Sequence, residues 1–192
     1  MPDGERIGLP PRIDLRPARP IDRGEMVDLW EQRTGFEILK VLDAVFDDEK
    51  PAHGVVATEV ERVVGFGVVI RLPRDAAVDR LKVALDDCDV GESVAIFHAG
   101  VVEAAWEGNG IGTVLMRARL DFVRDAYDVD AAVGIAWLRP HTRDASVLFE
   151  RVGFERHRTD ETYYRRVGRP VCPDCGDICT CHAAVYVWTP DE

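Results

Sequence analysis

The residues from Glu92 to Tyr127, ESVAIFHAGVVEAAWEGNGIGTVLMRARLDFVRDAY, constrain the fold of this chain more than any other stretch. The apolar run from Ser93 to Val102 reads as a strand, with Val94, Ile96, His98, Gly100 and Val102 on one face. It breaks at Glu107-Gly108-Asn109-Gly110-Ile111-Gly112, where three glycines in five positions let backbone N–H groups crowd toward a ligand that side chains would block. Beyond the break, Ile111, Leu115, Ala118 and Phe122 recur at steps of three or four and predict a helix. Arg117, Asp121, Arg124 and Asp125 fall on its wet side. First-turn N–H groups have no partners inside a helix and carry the positive end of its dipole, so the junction suits an anion such as a pyrophosphate. Tight strand-to-helix turns also use glycine for steric reasons alone.

Around this stretch the chain alternates between strand and helix patterns. Residues 1–11 hold Gly4, Gly8, Pro10 and Pro11 without periodicity and predict a loose arm. Ile13 to Arg16 is a first strand. Asp22 is placed to cap a helix through Met26, Val27, Leu29 and Trp30, which continues after Gly35 through Phe36, Ile38, Leu39 and Leu42. Val55–Val60 and Val63–Leu72 form a hairpin about Glu61-Arg62, and Gly65 and Gly67 predict a bulge or a close approach of backbone. Asp75 to Cys88 reads as a helix in which Cys88 is a small packed residue. Ala131–Leu138 is a buried strand, and a helix from Thr142 to Val152 closes at Gly153. Phe154 and the segment from Thr162 to Val167 give two further strands. His98 reads either as a hydrogen-bonded sheet histidine or as a general base, since its unperturbed pKa near ~6.5 suits proton removal at neutral pH.

Val102-Glu103-Ala104-Ala105-Trp106-Glu107-Gly108-Asn109-Gly110-Ile111-Gly112 resembles motif A of the GNAT N-acetyltransferase superfamily, Gln/Arg-x-x-Gly-x-Gly/Ala after a strand ending in valine. Ala145-Ser146-Val147-Leu148-Phe149-Glu150-Arg151-Val152-Gly153-Phe154-Glu155 resembles motif B, and Arg12-Ile13-Asp14-Leu15-Arg16-Pro17-Ala18 resembles the family's first strand. The resemblance covers residues 12–168 and implies an α/β fold with a mixed, mostly antiparallel sheet flanked by helices. It also implies acetyl transfer from acetyl-CoA to a primary amine of a small molecule, peptide or protein. Gly100, Val101 and Val102 would pair with the pantetheine arm. Glu107, Gly108, Asn109, Gly110, Ile111, Gly112 and Thr113 would form the diphosphate turn, with Phe149 beside the cofactor and His98 as base. Three positions depart from the pattern. Glu107 replaces Gln or Arg and would point to solvent while main-chain N–H groups bind. Thr142 replaces Asn. Phe149 replaces a tyrosine that protonates the departing thiolate, so the acid would be another group, with Tyr163 and Tyr164 available, or water.

The tail, residues 169–192, is outside the resemblance. Cys172-x-x-Cys175-x-x-x-Cys179-x-Cys181-His182 packs four thiols into ten residues, and a β-like Val185-Tyr186-Val187-Trp188 follows. Gly168 to Pro170 marks the boundary. Such density in a reducing compartment favours a structural Zn²⁺ knuckle held by Cys172, Cys175, Cys179 and Cys181 over a redox pair, with His182 an alternate ligand or a spectator. The knuckle suits a staple for the terminal strand, or part of a dimer or acceptor contact.

Charge and hydropathy limit the partners. There are 35 Asp and Glu against 24 Lys and Arg, a formal charge of −11, which argues against nucleic acid and anionic membrane. Only Lys40, Lys50 and Lys82 are lysines, and the acidic surface resembles that of a protein adapted to high salt. No apolar run approaches a membrane helix and the opening MPDGERIGLPPR has no apolar signal core, so the expected location is the cytoplasm. Two other readings remain: an acyl-CoA sensor without turnover, suggested by Phe149 and Glu107, and a zinc-dependent interaction protein, suggested by the tail.

Overall fold

Most of the β-branched runs become strands of one seven-stranded sheet. The computed structural model describes residues 9–35, 37–85, 88, 90–139, 145–167, 172, 175–176 and 179–190. The elements, in chain order, are β1 (Ile13–Pro17), α1 (Arg23–Thr34), α2 (Leu39–Val45), β2 (Ala52–Glu59), β3 (Arg62–Pro73), α3 (Arg74–Leu81) and β4 (Ser93–Val102). They continue with α4 (Ile111–Ala126), β5 (Ala131–Leu138), α5 (Ser146–Arg151), β6 (Glu155–Asp160), α6 (Tyr163–Arg166) and β7 (His182–Trp188). The strand order is β1-β2-β3-β4-β5-β7-β6. β1 with β2, β5 with β7 and β6 with β7 are antiparallel; β4 with β5 is parallel, joined through α4. This is the expected mixed, mostly antiparallel α/β sheet.

The chain divides into two units, Met1–Val68 with Ala99–Arg119, and Val69–His98 with Leu120–Glu192. In the first, Ile13, Val55, Ala57 and Val64 pack with Ile111 and Leu115 of the α4 face that the spacing anticipated. Each of these side chains except the Ala57 methyl contributes about 1.5–3 kcal/mol on burial. Gly35, at φ 73°, ends α1 and separates it from α2. The β2–β3 turn runs through Val60 and Glu61 at φ 47° and 72°, left-handed values matching the twist of a two-residue hairpin turn. Asp22 does not cap α1 with its side chain. It accepts instead from the Arg19 N–H at 2.7 Å and from both Arg16 Nη atoms at 2.7 and 2.8 Å, closing the 3-10 turn Pro20–Asp22 that precedes the helix.

In the second unit, Leu81, Val83, Leu85 and Cys88 pack with Val94, Ile96, Val133 and Val185. α3 is shorter than expected, ending at Leu81, with Lys82 in the left-handed region at φ 53°. The segment from Thr162 to Val167 is not a strand. Asp160 Oδ1 accepts from the Thr162 N–H at 2.9 Å and hydroxyl at 3.0 Å, turning the chain into α6, and Tyr163 and Tyr164 are buried from that short helix. Gly153 closes the helical segment at φ 91° as expected. Residues 1–8 of the expected arm, Phe36, Thr142 and the boundary Gly168–Pro170 lie outside the described residues. No helix among the described residues is long and apolar enough to cross a membrane.

Candidate functional site

The glycine turn has the geometry its composition demanded. Gly108 and Gly110 stand at φ 79° and 82°, a region that costs other residues roughly 1–2 kcal/mol. Asn109 Nδ2 donates to the carbonyls of Trp106 at 3.3 Å and Glu107 at 3.1 Å, which holds the bend. The Val114 N–H returns to the Gly110 carbonyl at 3.1 Å. The N–H groups of Ile111, Gly112 and Thr113 precede that bond and have no acceptor within the helix. Beside them the Thr113 hydroxyl, on a residue 1% exposed, is buried without a hydrogen-bond partner. Buried hydroxyls are nearly always satisfied, so this one is suited to an oxygen-rich ligand at the turn.

Glu107 is half-exposed, but its carboxylate pairs with the Arg33 guanidinium of α1 rather than standing alone. The Arg33 Nε is buried without a hydrogen-bond partner. The carboxylate expected to face solvent is thus matched by a cation with a donor to spare.

β4 carries the next group of residues. Its parallel register with β5 runs from Val94↔Ala131 to Phe97↔Gly134, while β4 itself continues to Val102. Past that register Gly100 is exposed and Val101 and Val102 are half-buried. The far end of the strand is anchored by the Glu103 N–H on the Val64 carbonyl at 2.8 Å and by Arg62 on Glu103 at 2.7 Å. His98 is half-buried and precedes Gly100 by two residues.

α4 supplies a residue that the sequence reading missed. Arg119 is 4% exposed and donates through Nη1 to the Ala99 carbonyl at 2.9 Å. Its signal in the sequence was indirect. A Cβ at Gly67 would stand 2.4 Å from Arg119 Nε, so what closes on Gly67 is this side chain rather than backbone, whereas a Cβ at Gly65 would stand 3.2 Å from the Val101 carbonyl oxygen.

Phe149, in the second unit, is buried in an aromatic cluster. It stacks on Tyr186 at 5.0 Å and 7°, meets Phe97 and Phe154 edge-on, and lies so close to β5 that a Cβ at Gly134 would be 2.2 Å from its Cε1. Tyr186, stacked against it, has its hydroxyl on Glu150 Oε1 at 2.9 Å, and the Tyr163 hydroxyl donates to the Leu81 carbonyl at 2.8 Å.

Cys172, Cys175, Cys179 and Cys181 place their sulfurs within 4.8 Å of one another. Cys172 and Cys181 are 3.9 Å apart and Cys175 and Cys181 3.5 Å apart, near the roughly 3.8 Å between thiolates that tetrahedral Zn–S bonds of ~2.3 Å require. Hydrogen bonds with Thr180 pull the Cys175 thiol down, whereas burial pushes Cys179 and Cys181 up. A metal ion would supply the charge that favours thiolates at the buried positions. His182 opens β7 opposite Leu138.

Residues 18–154, from just past β1 to just before β6, match the acetyltransferase (GNAT) family. Arabidopsis thaliana NAA60, solved in complex with acetyl-CoA, superposes with a TM-score of 0.69 at 12% identity, covering 94% of this chain and 99% of that one. The ribosomal-protein-S18-alanine N-acetyltransferase of Escherichia coli gives 0.63 at 15% identity over 94% and 95% of the two chains. Ard1 of Thermoplasma volcanium gives 0.60 at 16% identity over 94% and 99%. At these identities the likeness is one of fold, and no curated protein matches the chain. The motifs, the sheet and the family match over residues 18–154 agree: the chain is a member of the GNAT acetyltransferase family.

Proposed function

We propose that this protein transfers an acetyl group from acetyl-CoA to a primary amine of a small molecule, peptide or protein. The observation that carries the reading is the turn into α4. Three first-turn N–H groups and the unsatisfied Thr113 hydroxyl fall in one short segment, and Arg33 of α1 offsets the Glu107 carboxylate beside them, which together suit a diphosphate. Gly108, Asn109 and Gly110 shape it, and Gly100, Val101 and Val102 offer strand backbone for the amides of the pantetheine arm. His98, or a water it orders, takes the proton from the ammonium, and the free amine attacks the acetyl carbon as the C–N bond forms and the C–S bond breaks. In this reading the departing thiolate takes, through water, the proton that the new amide nitrogen gives up, because Phe149 has none to give and the Tyr163 hydroxyl is held by the Leu81 carbonyl; Tyr164, packed against Trp137 and Tyr163, is the alternative acid.

Cys172, Cys175, Cys179 and Cys181 we assign to a structural Zn²⁺, on the proximity of their sulfurs. We assign the transferase domain to residues 12–168 and the tail, whose metal would restrain the start of β7, to a homodimer or acceptor contact.

Calorimetry with acetyl-CoA, followed by free-thiol release over an amine panel, tests the reading. Saturable binding and amine-dependent thiol release are expected; no heat at millimolar acetyl-CoA overturns it. His98→Ala should lower turnover by about 10²–10⁴ and abolish the acidic limb of its pH profile, and an unchanged profile removes His98 as base. The buried, hydroxyl-free Phe149 favours a second reading, an acyl-CoA sensor, which predicts binding without thiol release.

A further inference from the structure

Arg119 lies on the inward stripe of α4, four residues after Leu115, where a leucine or methionine would fill the space without desolvating a cation. Its guanidinium lies across two strands. Nη1 donates to the carbonyl of Ala99 at 2.9 Å and reaches that of Val68 at 3.4 Å, Nε donates to the Leu115 carbonyl at 3.2 Å, and Nη2 meets Met116 Sδ at 2.7 Å. Both strands make room with glycine: a Cβ would stand 2.4 Å from Nε at Gly67 and 3.2 Å from Nη2 at Gly100. Burial pushes the guanidinium down to about 9, so it keeps its charge at neutral pH.

The shortest of the bonds to a carbonyl falls on the peptide that joins Ala99 to Gly100. That peptide is trans, so its N–H, which belongs to Gly100, points opposite to the carbonyl that Arg119 holds. A cationic donor on the carbonyl draws electron density through the amide and strengthens its N–H as a donor. Gly100 is exposed, on the segment of β4 assigned above to the pantetheine arm.

We propose that Arg119 is a positioning residue for acetyl transfer: through the Ala99 carbonyl it fixes and polarises the Gly100 N–H, which donates to the acetyl carbonyl oxygen of bound acetyl-CoA. The inference rests on the acetyl-CoA reading of the site. Negative charge grows on that oxygen as the amine adds, so a donor fixed in advance lowers the barrier more than it tightens binding. Arg119 touches no reacting atom; it acts through the peptide.

Infrared spectroscopy of isotope-labelled acetyl-CoA bound to the wild-type protein, Arg119→Met, Arg119→Lys and Gly67→Ala tests this. In the wild type the thioester carbonyl stretch should fall below its value in water. Arg119→Met should return it toward that value and lower kcat roughly tenfold, with the acetyl-CoA Kd changed less than about twofold. Arg119→Lys should recover part of both. Gly67→Ala, which keeps the charge but displaces the guanidinium, should shift the stretch in the same direction as Arg119→Met. A folded Arg119→Met variant with the wild-type carbonyl frequency overturns the proposal. If that variant does not fold, the wild type decides, because a bound stretch equal to that of free acetyl-CoA overturns it as well. Calorimetry separates the two failures: binding without a carbonyl shift sinks the role of Arg119 alone, and absence of binding sinks the acetyl-CoA reading with it.

Discussion

Arg33 and Glu107 show how one side chain changes the meaning of another. A carboxylate beside the proposed diphosphate turn is unfavourable by itself, but the Arg33 guanidinium that it pairs with offsets its charge and is oriented by it. Arg33→Met leaves the carboxylate unmatched, and Glu107→Gln frees the guanidinium. Because exposed pairs contribute about 0.2–1 kcal/mol, the first should weaken acetyl-CoA binding by up to about fivefold and the second tighten it by a similar factor, both read by calorimetry. The sequence showed Glu107 as a departure from the motif but could not show Arg33, because the partner stands 74 residues away. Arg119 was hidden for a different reason. A period-3.6 reading counts apolar residues as the buried stripe, and a guanidinium on that stripe is legible only through the glycines that yield to it. Asp22 is a third case: expected to cap α1, its carboxylate instead holds Arg16 and the Arg19 N–H ahead of the helix. Hydrogen bonds from Arg16 hold its carboxyl below the usual carboxylate range. Its contribution is therefore full above pH of about 4 and is lost as pH falls through the lowered value. Asp22→Asn should cost about 1.5–3 kcal/mol near neutrality and flatten the acid limb of a plot of Tm against pH.

Among the elements, the strands were the most legible and the tail the least. β4, β5 and α4 begin and end within a residue or so of where alternation and helical spacing put them. The residues of α6 misled because tyrosine, threonine and valine favour strands, whereas the Asp160 carboxylate and the burial of both rings favoured a turn of helix. β7 was visible as a strand, but its place between β5 and β6 was not, since nothing local specifies which neighbours a strand takes. The cysteines stand immediately before it, so a metal there would restrain its first residues. Chelation of the metal should lower Tm by several degrees and speed hydrogen exchange first at His182 to Val185. A zinc-to-protein ratio near zero in the purified chain, or a Tm indifferent to chelator, would retire the metal.

For the whole molecule the formal charge of −11 is the dominant global term. Self-repulsion of that size opposes compaction and is relieved by counterions, so Tm should rise steadily into molar KCl; a flat or falling curve would show that the acidic surface serves solubility alone. The fold class was legible because two motifs and the alternation of strands and helices specify it jointly. The division of the chain into Met1–Val68 with Ala99–Arg119 and Val69–His98 with Leu120–Glu192 was not, because it falls inside β3, β4 and α4 rather than at a linker. The position of β7 has a further consequence during synthesis. The ribosome makes this strand after both strands it joins, so β6, whose sheet partner is β7, has no template until His182 to Trp188 emerge. A nascent chain halted before those residues would leave one edge of β5 and both edges of β6 unpaired, and would be a natural client for a chaperone.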